Sequence, residues 1–432
     1  MNDRHRMNGK WLWLVVCALV VSSALVRADS FRSDWPDEVK RVWAGSHYWT
    51  NRLQDWRLQG GWLHCTVAKP NREAALLTHR VGDGEGDFTM QVRVRTDGGN
   101  GWAGFCVGAE GRLAKWPELA DYRDNAVRGG GLRLGLTTGG TLFIGRPGGS
   151  TTSAGVSTDS PVVLRLEGSM DGDRCGLTLR AMEPGTDEEL ASVSTGKKAD
   201  AVTGAVKLMA HKARAGFRAW SLSGGPVEGR ADRVFGPVLW SQYTLSEGTL
   251  NMTAQMPPMG DADGDTVRLQ VRRNGAWKTV AEAPIHDLAR TATFRVTDWD
   301  ASRNVSYRVA YTYIGRGGKE MKDYWKGIVR ENPTDKNALK VAGFTGCADY
   351  AWPNAELVEH VKAVDPDFLF FSGDNVYEQV NGYGVQRSPL DKACLDYLRK
   401  WYFFGWAFRD LLKNRPSVII PDDHDVYQGN IF

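Results

Sequence analysis

The sequence has 432 residues, of which 42% are hydrophobic and 24% are charged, and this is enough material for two to four domains. It contains 54 basic and 51 acidic residues. Residues 1–28 hold four of the bases and one of the acids, so the rest of the chain carries no net charge. This balance does not favour a nucleic acid or an anionic membrane as the partner.

Residues 1–28 are predicted to be a secretory signal peptide. A basic start with Arg4 and Arg6 precedes an apolar run, 11–26, and the small residue Ala28 ends the segment at an acceptable cleavage site. The apolar run has about 16 residues, fewer than the roughly 20 of a membrane-spanning helix, so an uncleaved anchor is the alternative. We expect an exported protein, in the periplasm, at the cell surface or outside the cell, with no transmembrane segment after cleavage.

Five cysteines would remain after cleavage, and an odd number in an exported protein leaves one thiol without a disulfide partner. They are Cys65, Cys106, Cys175, Cys347 and Cys394. The leftover thiol is a candidate metal ligand, and Cys347 lies where such a ligand would be needed. The alternative is that all five thiols are free and buried.

Residues 33–228 are predicted to form an all-β jelly-roll or sandwich domain. Short alternating runs at 88–94, 131–136 and 162–166 are typical of half-buried strands, and glycine-rich turns such as 97–101 separate them. In the spacing of its strands and turns, this region resembles the concanavalin-like jelly-roll domains attached to many secreted bacterial enzymes.

That resemblance is carried by the segments 56–67, 87–94 and 101–107, and it implies a candidate glycan or cell-surface ligand. Domains of this kind often bind glycans by stacking sugar rings on exposed aromatic side chains. The alternative is that the tryptophans belong to the core of the sandwich. The candidate platforms are Trp43, Trp49, Trp56, Trp62, Trp102 and Trp116.

Residues 232–332 are predicted to form a smaller β-sandwich of the immunoglobulin or fibronectin type. The cluster 261–265 contains three aspartates, but it lacks the later ligand spacing of an EF-hand. We expect a solvated hairpin turn there rather than a calcium loop. The predicted strands are 250–254, 266–271, 291–296 and 306–313.

Residues 337–432 are predicted to form a layered α/β domain with adjacent parallel strands, because strands and helices alternate along the chain. The first helix should present Leu357, Val358, Val361 and Val364 on one face. The second helix should extend over 391–414. The predicted strands are 339–341, 368–371 and 417–420.

Potential metal ligands follow each of these three strands. Cys347 comes after the first, Asp374 and Tyr377 after the second, and Asp423 and His424 after the third. The carboxyl ends of parallel strands meet at one edge of a sheet. A thiolate, two carboxylates, a phenol and an imidazole at one edge favour a metal centre that hydrolyses a phosphoester.

The motifs Gly346-Cys347, 372–378 (Ser-Gly-Asp-Asn-Val-Tyr-Glu) and 422–425 (Asp-Asp-His-Asp), in this order, resemble those of the PhoD-like alkaline phosphatase and phosphodiesterase family of metallophosphoesterases. A β-sandwich directly before the catalytic domain also matches that family. The resemblance covers about 230–432. Asp425 departs from it, because the family usually has glutamate there.

The resemblance implies a ligand and a role for each motif residue. Cys347, Asp374 and Tyr377 would bind ferric iron, and Asp374 would also bridge to a second ion, typically calcium, at Asp423. Asp374 and His424 would be catalytic, with His424 contacting the phosphoryl oxygens or assisting the leaving group. Other divalent ions are an open alternative.

The leading hypothesis is therefore an exported, metal-dependent phosphoric ester hydrolase with a partial α/β (α/β/β/α-type) metallophosphoesterase domain at 337–432. The family completes its second site with later aspartate and histidine ligands, which this sequence lacks, so we expect little or no activity from the chain as given. The alternative hypothesis is a secreted glycan- or surface-binding β-domain protein with a non-catalytic phosphoesterase remnant.

Overall fold

The computed structural model describes residues 29–347 and 350–427, so the predicted signal peptide, 1–28, lies outside the described residues. Within the described residues the chain is mostly β-structure, with 25 strands and three α-helices. Among these residues, none of the helices is both long and apolar enough to cross a membrane.

The first fifteen strands join into one hydrogen-bonded network. Two long strands, β7 and β14, pair with each other over most of their length. The first half of β7 also pairs with β11, and its second half pairs with β8. The strands are β1 Ser30–Arg32, β2 Lys40–Arg41, β3 Tyr48–Thr50, β4 Trp56–Gln59, β5 Trp62–Cys65, β6 Arg72–Val81, β7 Gly86–Glu110, β8 Gly130–Thr137, β9 Leu142–Ile144, β10 Thr152–Ser153, β11 Val162–Asp171, β12 Arg174–Met182, β13 Glu189–Lys198, β14 Gly204–Gly224 and β15 Val227–Gly229. A short helix, α1 Tyr122–Arg128, precedes β8.

This region has a core of its own, which alternating side chains of its strands supply. Leu164 and Leu166 of β11 and Phe217 of β14 are fully buried in it. The prediction of a turn at 97–101 is wrong, because these residues continue β7, and Gly99 lies opposite Ala213 of β14. A local glycine cluster does not reveal that a strand more than a hundred residues later will pair with it.

The second region forms two facing antiparallel sheets around a separate core. Their strand orders are β16-β17-β20 and β19-β18-β21-β22, and all four predicted strands are present. The bounds are β16 Trp240–Ser246, β17 Thr249–Gln255, β18 Thr266–Arg273, β19 Ala276–Pro284, β20 Thr291–Val296, β21 Val305–Ile314 and β22 Glu320–Val329.

The aspartate cluster 261–265 forms a turn whose residues are exposed, as predicted, with the exception of Asp263. The Asp263 side chain is fully buried and accepts a hydrogen bond from Arg41 Nη1 at 2.9 Å, and the Ile314 backbone N–H also donates to it, at 3.0 Å. A buried carboxylate needs such partners because it has lost its hydration. Arg41 belongs to the first β-region, so this ion pair joins the two β-regions.

The third region has the predicted β-α-β-α-β order with parallel pairing. Its strands, in the order β23-β24-β25, are β23 Val341–Phe344, β24 Phe368–Phe371 and β25 Ser417–Ile419. The helices are α2 Ala355–Val364 and α3 Leu390–Leu412. The apolar face predicted for α2 is only partly covered: Val358 is buried, whereas Leu357 and Val364 are exposed.

Helix α3 connects all three regions, because its buried side chains lie in one core with residues of both β-regions. Tyr402 Oη donates to the Met256 carbonyl at 3.0 Å, and Gln54 Nε2 donates to Asp396 at 3.1 Å. Gly405 allows the close approach of α3 to β16, because a Cβ at this position would lie 2.4 Å from three ring atoms of Trp240. The domain boundaries themselves stay a prediction.

None of the five described cysteines forms a disulfide, which agrees with the alternative that all five thiols are free. Cys65, Cys106 and Cys175 are buried, and Cys347 and Cys394 are partly buried. Burial raises the pKa of Cys65 to about 12 and that of Cys106 to about 11, so these two thiols are protonated at neutral pH and act as core side chains.

Candidate functional site: a polar cleft beside a carboxylate–imidazole cluster

The loops after β24 and β25 are held together by Asp425, a residue to which the sequence assigned no role. This buried carboxylate accepts hydrogen bonds from the backbone N–H groups of Val376 and Asp422, both at 2.9 Å, and from Asn375 Nδ2 at 3.2 Å. Burial raises the pKa of Asp425, and these hydrogen bonds partly oppose that shift. Gly373 lies at φ +108°, where a Cβ would lie 2.5 Å from that of Asp422, so the two loops meet without a side chain between them.

These loops bring three of the predicted ligands together. One ligand atom each from Asp374, Asp423 and His424 lies within 4.8 Å of the others. Asp374 accepts a hydrogen bond on Oδ2 from Tyr377 Oη at 3.1 Å. Its Oδ1 is buried and has no hydrogen-bond partner among the described residues. A buried carboxylate oxygen without a donor is costly, so this oxygen suits a cation.

His424 is oriented by Glu378, which the sequence analysis did not assign. Its Nδ1 lies 2.7 Å from Glu378 Oε2, and the centroid of its ring lies 4.5 Å from that of the Tyr377 ring. The hydrogen bond to Glu378 is the main reason that the pKa of His424 is raised. Because Nδ1 faces Glu378, Nε2 is the nitrogen left for a ligand.

The other two predicted ligands, Cys347 and Tyr377, both have raised pKa values. Cys347 does not belong to the three-residue group; burial, followed by the charge of Asp425, raises the pKa of its thiol to about 11. The pKa of Tyr377 is raised to about 12, first by burial and then by its hydrogen bond to Asp374. Both groups are therefore protonated at neutral pH unless a bound cation displaces the proton.

A cleft of about 740 Å³ adjoins this cluster and lies between the first and third regions. His424, Tyr377 and Glu378 line it on the side of the cluster, and Asn71 and Glu73 of the jelly-roll region line the opposite side. This volume lies within the roughly 300–1,000 Å³ of small-molecule sites. The sequence contains no local signal for the cleft, because its two walls are about 300 residues apart.

The jelly-roll wall of the cleft is fixed by a buried ion pair. Lys207 is fully buried, and its Nζ donates to Glu73 Oε2 at 2.9 Å and to the Gly129 carbonyl at 2.6 Å. Asn71 Oδ1 lies 3.0 Å from His211 Nδ1. Since each polar group is already held by a neighbour, the wall needs little rearrangement to receive a ligand.

Most of the candidate tryptophan platforms are buried and not accessible, so the alternative, that the tryptophans are core side chains, describes them better. Trp62 is partly buried, and only Trp116 is exposed, at 44%. In the cleft the exposed aromatic residue is Tyr350, at 81%. The buried ones are Trp43, Trp49, Trp56 and Trp102. Of these four, Trp56 lies in the core of the jelly-roll region, Trp49 packs in the core that this region shares with α3, and Trp102 lies in a small separate cluster beside Phe143. The ring of Trp43 packs against that of Tyr313 in the second β-region.

No protein-family model and no curated protein matches this sequence. Solved lectin structures are similar to it. Peanut lectin has 12% identity and a TM-score of 0.30, and the match covers 46% of this chain and 97% of that one. The carbohydrate recognition domain of Emp47p has 15% identity and a TM-score of 0.28, with 47% and 99% covered. The VIP36 exoplasmic/lumenal domain in its Ca²⁺/Man3GlcNAc-bound form has 13% identity and a TM-score of 0.28, with 43% and 85% covered.

These neighbours are legume-lectin-like jelly-roll domains, and the mostly β, many-sheeted architecture of this chain is consistent with a jelly-roll sandwich. These comparisons correct the prediction of a PhoD-like phosphoesterase: neither comparison by sequence finds such a family, and the hydrolase, alkaline phosphatase and phosphodiesterase activities that the resemblance implied have no support. Short acidic motifs at these positions do not specify a reaction, because many different ligands bind beyond the carboxyl ends of the strands in open α/β sheets.

Proposed function

We propose that this protein binds a glycan, and that the cleft between the jelly-roll region and the α/β region is its binding site. The observation that carries the proposal is the cleft itself, whose walls combine fixed polar groups with exposed aromatic surface. Predicted export from the cell is part of the same proposal, since it would place the cleft among surface or extracellular glycans.

Sugar hydroxyls both donate and accept hydrogen bonds, so a glycan site needs carboxylate and amide groups held in fixed directions. Glu73 is such a group, because Lys207 occupies its Oε2 and leaves Oε1 for a ligand. Asn71 on the same wall and Glu378 on the other side add further polar groups. The exposed ring of Tyr350 offers a flat apolar face for the C–H groups of a sugar.

Replacing Tyr350 with alanine is expected to weaken glycan binding about tenfold, or roughly 1.4 kcal/mol. Because the side chain is 81% exposed, the melting temperature should not change. The measurement is a glycan-array screen of the chain after signal cleavage, followed by isothermal titration with the best ligand. Trp116→Ala is the matched control, since Trp116 is exposed but does not line the cleft. Loss of binding in the control, with Tyr350→Ala unaffected, would place the site elsewhere.

We also propose that Asp374, Asp423 and His424 hold a metal ion beside this cleft. Two carboxylates and an imidazole suit a divalent ion such as calcium, manganese or zinc, and the unpartnered Oδ1 of Asp374 fits that donor set. A bound ion would supply positive charge and open coordination positions for ligand hydroxyls. That the ion is ferric iron, and that Cys347 and Tyr377 also bind it, stays a prediction within this proposal.

The metal proposal is tested on protein that has been stripped with a chelator and then dialysed. One equivalent of a divalent ion should bind in isothermal titration, and Asp374→Asn should abolish that binding, because the amide removes the negative charge. Elemental analysis of protein purified without chelator identifies the ion. A visible absorption band that Tyr377→Phe removes would favour iron, whereas equal uptake by wild type and Asp374→Asn would contradict the proposed site.

A further inference from the structure

One wall of the cleft carries three arginines from the jelly-roll region: Arg112, which follows β7, Arg128, which ends α1, and Arg133 on β8. The first two are held by the chain that surrounds them. Arg128 Nη1 donates to the Trp352 carbonyl at 3.1 Å, and Arg112 Nη2 donates to the Tyr350 carbonyl at 3.0 Å.

Arg133 differs from them, because it is exposed and forms no ion pair with any residue in 29–347 or 350–427. Its positive charge acts on the neighbouring His211. The pKa of His211 is lowered, first by burial and then by the charges of Arg133 and Lys212. Arg133 therefore adds positive charge to this wall.

Each of the two glutamates that line the cleft has a partner other than Arg133. Glu73 is paired with the fully buried Lys207 at 2.9 Å. Glu378 lies 2.7 Å from His424, whose ring carries a positive charge only when it is protonated. A ligand that enters the cleft therefore meets a guanidinium at Arg133 that no carboxylate of the described residues pairs with.

A planar guanidinium binds a carboxylate or a sulfate through two parallel hydrogen bonds, which a neutral hydroxyl cannot reproduce. We propose that the glycan bound by this cleft is acidic, and that Arg133 binds its carboxylate or sulfate group. This inference rests on the proposed glycan-binding function and adds the chemical class of the ligand.

The test uses the chain after signal cleavage and an array of neutral, uronate-containing and sulfated oligosaccharides. Bound members should be predominantly acidic, and the array shows whether the group is carboxylate or sulfate. For the best acidic ligand, Arg133→Gln should weaken binding at least about tenfold, with Arg133→Lys in between, since lysine keeps the charge but not the fork of donors. Carboxyl reduction or desulfation of that ligand should cause the same loss, and Arg133→Gln should add nothing to it.

Arg272→Gln is the matched control, because Arg272 is an exposed arginine of the second β-region that does not line the cleft. An equal loss in this variant would indicate nonspecific attraction and would overturn the inference. Binding of neutral glycans that Arg133→Gln leaves unchanged would also overturn it, while the proposed glycan-binding function would stand. Binding of no glycan at all would contradict the proposed function itself.

Discussion

Asp396→Ala is expected to lower the free energy of unfolding by about 3–5 kcal/mol, because it leaves buried cations without their counter-charge. Asp396 Oδ2 lies 2.9 Å from Lys400 Nζ, and both side chains are fully buried. Arg399 Nη2 lies 4.0 Å from Asp396 Oδ1, and Arg52 Nη2 lies 3.7 Å from the same oxygen. The carboxylate therefore compensates a group of positive charges at the boundary between α3 and the jelly-roll region.

The measurement is urea unfolding followed by tryptophan fluorescence. Asp391→Ala is the control, because this aspartate lies on the exposed first turn of the same helix, and the loss there should stay below about 1 kcal/mol. A similar small loss for Asp396→Ala would mean that the boundary between α3 and the jelly-roll region is hydrated in solution.

The same carboxylate predicts a pH dependence. Burial acts to raise the pKa of Asp396, but the hydrogen bond and charge of Lys400, with the charge of Arg399, hold it below its usual value. A carboxyl group whose pKa is lower in the folded state stabilises the fold above its unfolded pKa of about 3.9. That stabilisation is lost as the pH falls through the folded-state pKa. The difference in stability between wild type and Asp396→Ala should therefore shrink below about pH 4.

Trp406→Ala is expected to cost about 3–5 kcal/mol, the usual range for truncating a buried aromatic residue to alanine. The Trp406 ring is fully buried and stacks on the ring of Phe235, with 4.5 Å between the ring centroids. Its centroid also lies 5.1 Å from that of Trp49 in the jelly-roll region and 5.7 Å from that of Trp352 in the α/β region. Truncation therefore opens a cavity where three parts of the chain meet.

Differential scanning calorimetry of the variant should show a lower melting temperature and less cooperative unfolding, because the jelly-roll region keeps a separate core that does not include Trp406. Trp116→Ala is the matched control, since that side chain is exposed, and its melting temperature should change by less than about 2 °C. An unchanged melting temperature for Trp406→Ala would show that α3 does not hold the regions together.

The sequence by itself determined much of the strand pattern, since the alternation of apolar and polar residues is a local property. It missed the continuation of β7 through 97–101, and the strand predicted at 339–341 is β23, Val341–Phe344. The strand predicted at 368–371 is β24 without any shift, and that at 291–296 is β20. The third region follows the same rule: its β-α-β-α-β order implies parallel neighbours, and these are observed.

The tertiary structure alone decided which polar and aromatic residues are accessible. Asp263 is buried in contact with Arg41 from another region, and Trp49 and Trp43 are covered by Trp406 of α3 and Tyr313 of the second β-region. The cleft joins Glu73 and Arg133 to His424. Burial and site formation depend on partners hundreds of residues away along the chain, whereas short motifs report only their immediate neighbours. For that reason the strand-end motifs indicated a cluster at one sheet edge but not what that cluster does.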